Sequence, residues 1–247
     1  MKSLVGLWIV LSVWLTAGEI NIAVAANVSY AIKPLIEAFE KSHQGMRVVP
    51  IIGSSGKLTA QIRHHAPFSL FLSANVAYPQ HLYDEGIAKE APVVYAKGRL
   101  ALFCRKGCSF KEGIKTLLQP WVERVALANP QTAPYGVATQ EALRHAGVDK
   151  ALRKRVIYGE SIGQTLTYAT RITSMGVVAK SALYAPSMQR FKEGKMWQEV
   201  EPNLYAPIAQ GMVLIPQKQG QATAQAFYDF MRSKQAQTIL RHYGYDI

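Results

Sequence analysis

The segment at residues 53–57, Gly-Ser-Ser-Gly-Lys, has residue types suited to two kinds of chemistry, phosphate binding and acyl transfer through a serine. A nucleotide-binding P-loop needs four residues between its first glycine and its Gly-Lys pair, followed by Ser or Thr. Here two residues intervene and Leu58 follows, which excludes that motif. Ser54 and Lys57 satisfy the S-x-x-K pattern of serine acyl-enzymes, but the accompanying S-D-N and K-T-G strings do not occur in the chain. We interpret the segment as an uncharged turn that binds an anion, and keep a serine acyl-enzyme using Ser54 and Lys57 as a remote alternative.

Two cysteines and six histidines are further candidate groups, but their spacing does not form a metal site. Cys104 and Cys108 flank a short loop directly after a strand-like apolar run, so we expect a disulfide that closes this loop, with unpaired thiols as the alternative. His64 and His65 are adjacent, and adjacent side chains on a helix diverge by about 100° and cannot easily share a metal. We therefore expect no directly coordinated metal and no cofactor.

Four turns that could bind an anion share one pattern, in which a short apolar strand is followed by Asn, Ser or Gly and then by a helix. The predicted strands are residues 20–25, 48–52, 125–128 and 156–159, and the turns that follow them are residues 26–29, 53–56, 129–136 and 160–161. Strands that alternate with helices in this way are typical of α/β folds with largely parallel sheets.

These turns have one chemical property in common. In an open α/β sheet, ligands bind at the carboxyl ends of the strands, where the following helices begin. The first N–H groups of a helix have no intrahelical acceptor, and the helix dipole is positive there, so such a turn can bind an anion. Two of the turns lie early in the chain and two lie in its middle, which predicts a two-lobed protein with an anion between the lobes.

The composition supports a large globular core and argues against a nucleic-acid-binding protein. The chain has 247 residues, with 28 Lys and Arg against 16 Asp and Glu, and a formal net charge of +12. A basic excess is typical of proteins that bind phosphate backbones, but here the basic residues are spread over every segment and only 18% of residues are charged. The aromatic residues near the C-terminus have the spacing of one amphipathic helix over residues 222–241, not of a base-stacking platform.

The first eighteen residues have the pattern of a secretory signal peptide. Lys2 precedes an apolar run at residues 4–15 and small residues at 16–18. Glu19 ends the run before it reaches the roughly 20 apolar residues that a membrane-spanning helix needs. We expect cleavage near Gly18 and export of the mature chain.

Several separated segments together resemble the periplasmic molybdate-binding proteins of ABC importers. They are Ala-Ala-Asn-Val-Ser at 25–29, Gly-Ser-Ser-Gly-Lys-Leu at 53–58, Ala-Pro-Phe-Ser-Leu-Phe-Leu-Ser-Ala at 66–74, Asn-Pro with Ala-Pro-Tyr-Gly at 129–136, Gly-Glu-Ser-Ile at 159–162, and the terminal segments 226–231 and 243–244. The resemblance implies an α/β, two-lobed type II periplasmic-binding-protein fold with the ligand cleft between the lobes. It divides the chain into a signal peptide at 1–18, lobe 1 at 19–98, lobe 2 at 99–205, and a return to lobe 1 with a C-terminal helix at 206–247.

The resemblance also implies a ligand and the groups that bind it. In that family neutral donors hold the oxyanion, and the matching donors here would be the backbone at Ala26, the side chain of Asn27, the hydroxyl and amide of Ser55, and the amides of Tyr135 and Ile162. The implied ligand is molybdate or tungstate, and the implied partner is an inner-membrane ABC permease with its cytoplasmic ATPase. We expect a monomer in the periplasm of a Gram-negative cell, with no catalytic residues.

Two positions depart from the family's pattern. Ala179 stands where one branch has a tyrosine whose hydroxyl contacts the anion, and Ser69 replaces the usual aspartate of the segment at 66–74. Asn27 and Tyr135 are similar to a second branch. We expect Ser69 to occupy a supporting position near the cleft.

Fixed neutral donors can select an anion by its size, because charge-assisted hydrogen bonds weaken quickly with length. An anion that fits poorly leaves buried donors unpaired, at about 1–3 kcal/mol each. The main alternative function is therefore a receptor for another tetrahedral oxyanion, such as sulfate or phosphate.

Overall fold

The structure is a computed structural model that describes residues 18–247. The signal-peptide prediction therefore falls on residues that lie, apart from Gly18, outside the described part of the chain. No helix within residues 18–247 has both the length and the apolar character that a membrane span requires.

Lobe 1 is built on a five-stranded, mostly parallel sheet. Its strands are β1 (Glu19–Ala25), β2 (Arg47–Gly53), β3 (Leu70–Leu72), β4 (Val93–Gly98) and β10 (Ile208–Leu214). They lie in the order β2-β1-β3-β10-β4, with β1 parallel to both neighbours and β10 antiparallel to β3 and β4. The helices of this lobe are α1 (Ile32–Ser42), α2 (Ser55–Arg63), α3 (Ala77–Asp84), α8 (Gln221–Met231) and α9 (Lys234–His242).

Lobe 2 repeats this architecture. Its strands are β5 (Leu100–Cys104), β6 (Val125–Ala128), β7 (Val156–Gly159), β8 (Met175–Ala179) and β9 (Trp197–Glu199), in the order β7-β6-β8-β5-β9. Its helices are α4 (Pro134–His145), α5 (Asp149–Leu152), α6 (Ile162–Arg171) and α7 (Lys180–Leu183). Short 3₁₀ turns cover Ala26–Val28, Gly113–Leu118, Pro186–Met188 and Pro202–Leu204.

Two short crossings connect the sheets. Between β4 and β5 only Arg99 intervenes, and the chain returns between the end of β9 and the start of β10. We call residues 98–100 and 199–208 the hinge. Gly98 and Ile208 are paired across it, so the two crossings lie side by side.

The cores explain why the apolar runs of the sequence become strands. Ile22, Leu70, Leu72 and Val177 are fully buried, as expected for parallel strands covered by helices on both faces. In lobe 1 the helices pack through aromatic rings, and Phe39 of α1 meets Phe227 of α8 edge to face at 5.1 Å between ring centroids.

The helix predicted over residues 222–241 is wrong, because the structure has two helices there. α8 ends at Met231, and α9 begins at Lys234. The reason is local: the Ser233 hydroxyl accepts a hydrogen bond from the Ala236 N–H at 3.2 Å, and this N-cap starts a new helix.

The expected disulfide is also absent from the structure, where Cys104 and Cys108 are free thiols. Both cysteines are held by backbone hydrogen bonds to the neighbouring residues Lys195 and Met196. The Cys104 N–H donates to the Met196 carbonyl at 2.7 Å, and the Cys108 N–H donates to the Lys195 carbonyl at 3.0 Å. Burial and a hydrogen bond to the Cys104 thiol raise the pKa of Cys108. The loop therefore keeps its shape without a covalent link.

Candidate functional site

The residues predicted to contact the ligand lie around one small cavity between the lobes. Its lining includes Ala26, Asn27 and Ser55 from lobe 1, and Tyr135 and Ile162 from lobe 2. The cavity volume open to the centre of a water molecule is about 10 Å³, close to the least that holds one water. The structure thus brings together segments that are far apart in the sequence.

Helix starts supply the backbone donors of this cavity. Asn27 lies in the 3₁₀ turn after β1, Ser55 and Ile162 are the first residues of α2 and α6, and Tyr135 is the second residue of α4. N–H groups in the first turn of a helix have no intrahelical acceptor. Within residues 18–247 the backbone N–H groups of these four residues donate to no backbone carbonyl elsewhere in the fold. Four unpaired donors therefore border one space, and the positive ends of the helix dipoles add to their attraction for an anion.

The local sequence explains why the helices begin at these residues. Ser54 caps α2 by accepting from the Lys57 N–H at 3.4 Å, and Ser161 caps α6 by accepting from the Gln164 N–H at 3.2 Å. Pro134 is the first residue of α4, a position that proline favours because its ring fixes φ and no N–H is needed there. Helices α2 and α4 begin earlier than the predicted turns allowed, which places Ser55 and Tyr135 inside them.

Ser55 is a side chain of the lining whose hydroxyl proton is available for a ligand. Its Oγ accepts a hydrogen bond from the Ala74 N–H at 3.0 Å, and the residue is 1% exposed. A hydroxyl that accepts one hydrogen bond still has its own proton to donate. The contact with Ala74 was not predicted from the sequence, although the segment that contains it was recognised.

The side chain of Asn27 departs from its expected role. Its Nδ2 donates to Gln210 Oε1 at 2.9 Å and to the Tyr245 hydroxyl at 3.2 Å. Its Oδ1 is buried and has no hydrogen-bond partner in residues 18–247. In this arrangement the backbone N–H of Asn27, not its side chain, is the free donor at the cavity.

A buried polar network beside the hinge holds Asn27 in place. Gln210 of β10 accepts from the Tyr95 hydroxyl at 2.9 Å, and its Nε2 donates to the Tyr135 hydroxyl at 3.3 Å. The Asn27 carbonyl accepts from the Tyr245 hydroxyl at 2.7 Å and from Ser181 Oγ at 3.1 Å. Sequence reasoning missed Gln210, whose signal is a single polar residue within the apolar run of β10.

The tyrosines of this network are neutral. Burial raises the pKa of Tyr95 and Tyr135 well above the ordinary tyrosine value, and raises the pKa of Tyr245 to about 12. Gly98 of the hinge is needed beside them, because a Cβ there would lie 2.0 Å from the Tyr135 hydroxyl oxygen.

The lobes touch across the cavity, so the structure is closed. The Gly56 N–H donates to the Thr132 carbonyl at 3.0 Å, and Lys57 Nζ lies 3.5 Å from Glu160 Oε1. A Cβ at Gly163 would come within 3.4 Å of the Ala26 Cβ, which shows how closely the two lobes approach.

The described lining of the cavity includes no charged side chain. Within residues 18–247 there is also no group of three or more His, Cys, Asp or Glu that could hold a metal ion. His64 and His65 are exposed. The site is therefore built from neutral donors.

The remote alternative of a serine acyl-enzyme gains nothing from the geometry. Ser54 Oγ accepts from the backbone of Lys57, while the Lys57 side chain is 57% exposed and its ammonium pairs with Glu160. The two residues therefore cap a helix and bridge the lobes.

The two departures from the family pattern lie in different places. Ala179 is the buried last residue of β8, and Ser181 just after it contacts the Asn27 carbonyl. The expected position of Ser69 near the cleft is wrong. Ser69 precedes β3, and it lines a groove with Lys89 and Gln217. The cavity lies at the opposite, carboxyl end of β3, where Ala74 is.

Comparisons with known proteins agree with this geometry. The profile of the family described as bacterial extracellular solute-binding protein matches residues 20–246. The molybdate-binding protein ModA of Rhodobacter capsulatus is 35% identical over 93% of this chain and 88% of its own length. ModA of Azotobacter vinelandii is 32% identical over 94% of this chain and 91% of its own length. The solved structure of the Azotobacter vinelandii periplasmic molybdate-binding protein is similar with a TM-score of 0.83 and 28% identity, over 92% of this chain and 99% of that one.

Proposed function

The chain belongs to the family of bacterial extracellular solute-binding proteins, and we propose that it binds molybdate or tungstate in the interlobe cavity and delivers it to an ABC permease. One observation carries this proposal: four unpaired backbone N–H groups and the Ser55 hydroxyl meet in a small, uncharged cavity between the lobes. Such a site can bind a small dianion.

The relatives support molybdate over other oxyanions. The two proteins compared above at 32% and 35% identity are both named molybdate-binding proteins. The proposed contacts are the four amides of Asn27, Ser55, Tyr135 and Ile162, the backbone at Ala26 and the Ser55 hydroxyl. The periplasm, a monomeric state, and a permease with its cytoplasmic ATPase belong to the same proposal.

The absence of a lysine from the described lining has a functional consequence. An ammonium would attract sulfate, phosphate and molybdate in similar ways, since it is a compact point charge with rotatable donors. Fixed amides instead require the oxygens of the anion to lie at set distances, because hydrogen bonds weaken steeply when they lengthen. Molybdate and tungstate have longer metal–oxygen bonds than the sulfur–oxygen bonds of sulfate, so donors spaced for the larger ions would be left partly unpaired around sulfate.

Delivery requires the cavity to open. The hinge offers a route for this motion, since we propose that the lobes divide at residues 98/99 and 205/206 and rotate about these crossings. The contacts across the cleft include a single backbone hydrogen bond and the half-exposed pair of Lys57 and Glu160, and exposed ion pairs contribute little stability.

The test is thermal unfolding of the mature chain with molybdate, tungstate, sulfate and phosphate in turn. A ligand at 100 times its Kd stabilises the protein by about 2.7 kcal/mol, which gives a clear rise in Tm. We expect molybdate and tungstate to raise the Tm at concentrations where sulfate and phosphate do not. A rise with sulfate or phosphate alone would identify the protein as a receptor for that anion instead.

A further inference from the structure

Asn27 carries a buried oxygen that the closed site leaves without a hydrogen bond. The residue lines the cavity and is 0% exposed, and its Oδ1 has no partner within residues 18–247. The hydroxyls of Ser54, Ser55 and Ser161 in the same lining all accept hydrogen bonds. An unpaired buried acceptor costs free energy, and an acceptor beside an anion is also repelled by it.

Gln210 decides how the Asn27 carboxamide is turned. In the arrangement described above, Gln210 presents Oε1 to Asn27 Nδ2 and to the Tyr95 hydroxyl, and presents Nε2 to the Tyr135 hydroxyl. The two ends of a carboxamide have nearly the same shape, and the hydrogen-bond network determines which end is the oxygen.

In a second arrangement the carboxamides of Asn27 and Gln210 are both rotated by about 180°, so that oxygen and nitrogen exchange places. Gln210 then still forms hydrogen bonds with Asn27, Tyr95 and Tyr135. Gln210 Nε2 then donates to Asn27 Oδ1 and to the Tyr95 hydroxyl, which can donate in turn to the Ser73 carbonyl, 3.3 Å away. The Tyr135 hydroxyl donates to Gln210 Oε1. Asn27 Nδ2 now occupies the position of the unpaired oxygen and is free to donate to a ligand.

We propose that Gln210 is a positioning residue that turns together with Asn27, so that oxyanion binding selects the arrangement in which Asn27 Nδ2 faces the anion. This inference rests on the proposed oxyanion-binding function and assigns to Gln210 the orientation of the Asn27 side chain, which the family resemblance already implies as a donor. The turned pair gives up the hydrogen bond from Asn27 Nδ2 to the Tyr245 hydroxyl and gains one to a charged acceptor, which is the stronger kind. Without an anion the two arrangements make equal numbers of the hydrogen bonds named above, so the bond to the anion decides between them.

The hydrogen bonds of Gln210 also connect Asn27 to a residue of lobe 2. Gln210 is in β10 of lobe 1, whereas Tyr135 is in α4 of lobe 2, and its amide borders the cavity. The carboxamide of Gln210 therefore contacts one anion-binding residue of each lobe, and its hydrogen bond to Tyr135 joins the lobes in the closed state.

The decisive variant is Gln210→Glu, which keeps the shape of the side chain but makes its acceptor character depend on pH. An ionised carboxylate at position 210 only accepts, so it holds Asn27 Nδ2 and leaves Oδ1 towards the anion. A protonated carboxyl can donate to Asn27 Oδ1 and restores the turned arrangement. Burial raises the pKa of a carboxyl by up to several units, which brings this change into an accessible range.

The tyrosines that face position 210 stay neutral in that range. Tyr95, Tyr135 and Tyr245 face the network from β4, α4 and the C-terminal segment, and burial raises the pKa of each. On the adjoining strand and hinge, Lys97 is exposed and Arg99 pairs with Asp246 and Glu199. A pH response of the variant therefore reports the carboxyl at position 210.

The experiment is calorimetric titration of molybdate into the wild type, Gln210→Glu and a matched control, Gln217→Glu, from about pH 6 to pH 9. Gln217 is a half-buried glutamine of lobe 1 whose Nε2 donates to the Phe68 carbonyl at 2.9 Å, away from the cavity. We expect Gln210→Glu to lose affinity by about tenfold or more as the pH rises, while the wild type and Gln217→Glu stay nearly constant. Equal affinity of all three proteins across the range would overturn the role of Gln210.

A second variant keeps the proposal testable if Gln210→Glu does not fold. Gln210→Met has a similar shape and neither donor nor acceptor, so we expect affinity to fall by about tenfold without any pH dependence. Wild-type affinity in this variant would overturn the proposal by itself. Wild-type protein that binds no tetrahedral oxyanion would overturn the proposed function and the role of Gln210 together, whereas binding by wild type with unaffected variants overturns the inference alone.

Discussion

At the scale of single residues, the cavity depends on very few donors, so each should matter for affinity. The Ser55 hydroxyl accepts from the Ala74 N–H and has one proton left for a ligand. In the proposed site Asn27 contributes its amide and, in the proposed turned arrangement, its side chain. A hydrogen bond to a charged group contributes about 1.5–3 kcal/mol, which exceeds the net value of a neutral one.

We therefore expect Ser55→Ala and Asn27→Ala each to weaken molybdate binding by about tenfold or more, equivalent to about 1.4 kcal/mol. Isothermal titration of the two variants measures this directly. Ser233→Ala is the matched control, since Ser233 caps α9 far from the cavity. The control should cost about 1 kcal/mol of stability with unchanged affinity. Wild-type affinity in both site variants would remove these residues from the site.

The buried tyrosines predict a loss of stability at alkaline pH. The pKa of Tyr245 is raised from its ordinary value of 10.0 to about 12 in the folded protein, so the folded state favours the neutral phenol. In the range between these two values the unfolded chain binds fewer protons than the folded one, and the free energy of unfolding falls as the pH rises. The stability that depends on the neutral phenol of Tyr245 is fully present below the ordinary pKa. It is lost as the pH rises through the raised pKa of the folded protein.

Denaturant unfolding of the wild type and Tyr245→Phe at a series of alkaline pH values would measure this effect. We expect the variant to be less stable at neutral pH, because it loses hydrogen bonds to Asn27, but to depend less on alkaline pH. Parallel stability curves for the two proteins would contradict the assignment to Tyr245.

At the scale of secondary structure, capped helix starts deliver the donors and small residues let the lobes meet. Gly56, the second residue of α2, donates to Thr132 across the cleft. A Cβ at this position would lie 3.0 Å from the Tyr78 hydroxyl oxygen and 3.2 Å from the Thr132 carbonyl oxygen. The Thr132 carbonyl oxygen is a backbone atom, so it can move away only if its whole loop moves.

Gly56→Val should therefore hold the cleft open. We expect molybdate binding to weaken by about tenfold or more, while the Tm of the unligated protein stays close to that of Ala60→Val, an exposed substitution on the same helix. Small-angle scattering should show that the saturated variant remains larger than the saturated wild type. Closure and affinity equal to those of the control would show that the contact between α2 and Thr132 is not limiting.

At the scale of the whole molecule, the net charge of +12 and the uncharged cavity act at different stages. Surface lysines and arginines raise the local concentration of anions and the rate of encounter. In the proposed function the neutral donors then determine which anion stays bound. We therefore expect the surface charge to affect the rate of capture and the cavity geometry to affect selection.

Raising the ionic strength from about 0.05 M to 0.5 M should separate these effects, because the Debye length falls severalfold. We expect the association rate for molybdate to fall, with a smaller change in the dissociation rate, in stopped-flow fluorescence. Repeating the series with chloride and with acetate salts at matched pH controls for specific ion effects. A dissociation rate that rises as steeply as the association rate falls would indicate that exposed charges hold the ligand.

Much of this site can be predicted from the local sequence. Ser54, Pro134 and Ser161 cap or start helices through contacts within a few residues, so the turns, their order and their capacity for anions follow from short motifs. The resemblance of these segments to a known family then implied the fold and the ligand. The helix boundaries near Ser55 and Tyr135 differed only slightly from the prediction.

Only the tertiary structure decided which atoms line the cavity. Asn27 contacts Gln210 and Tyr245, which are 183 and 218 residues away in the chain, and no local motif records that contact. The same holds for the Ala74 amide at Ser55 and for Ser69, which packs at the opposite end of its strand. The physical reason is that capping is satisfied within one helical turn, whereas the direction of a buried carboxamide is set by every group that the fold packs around it.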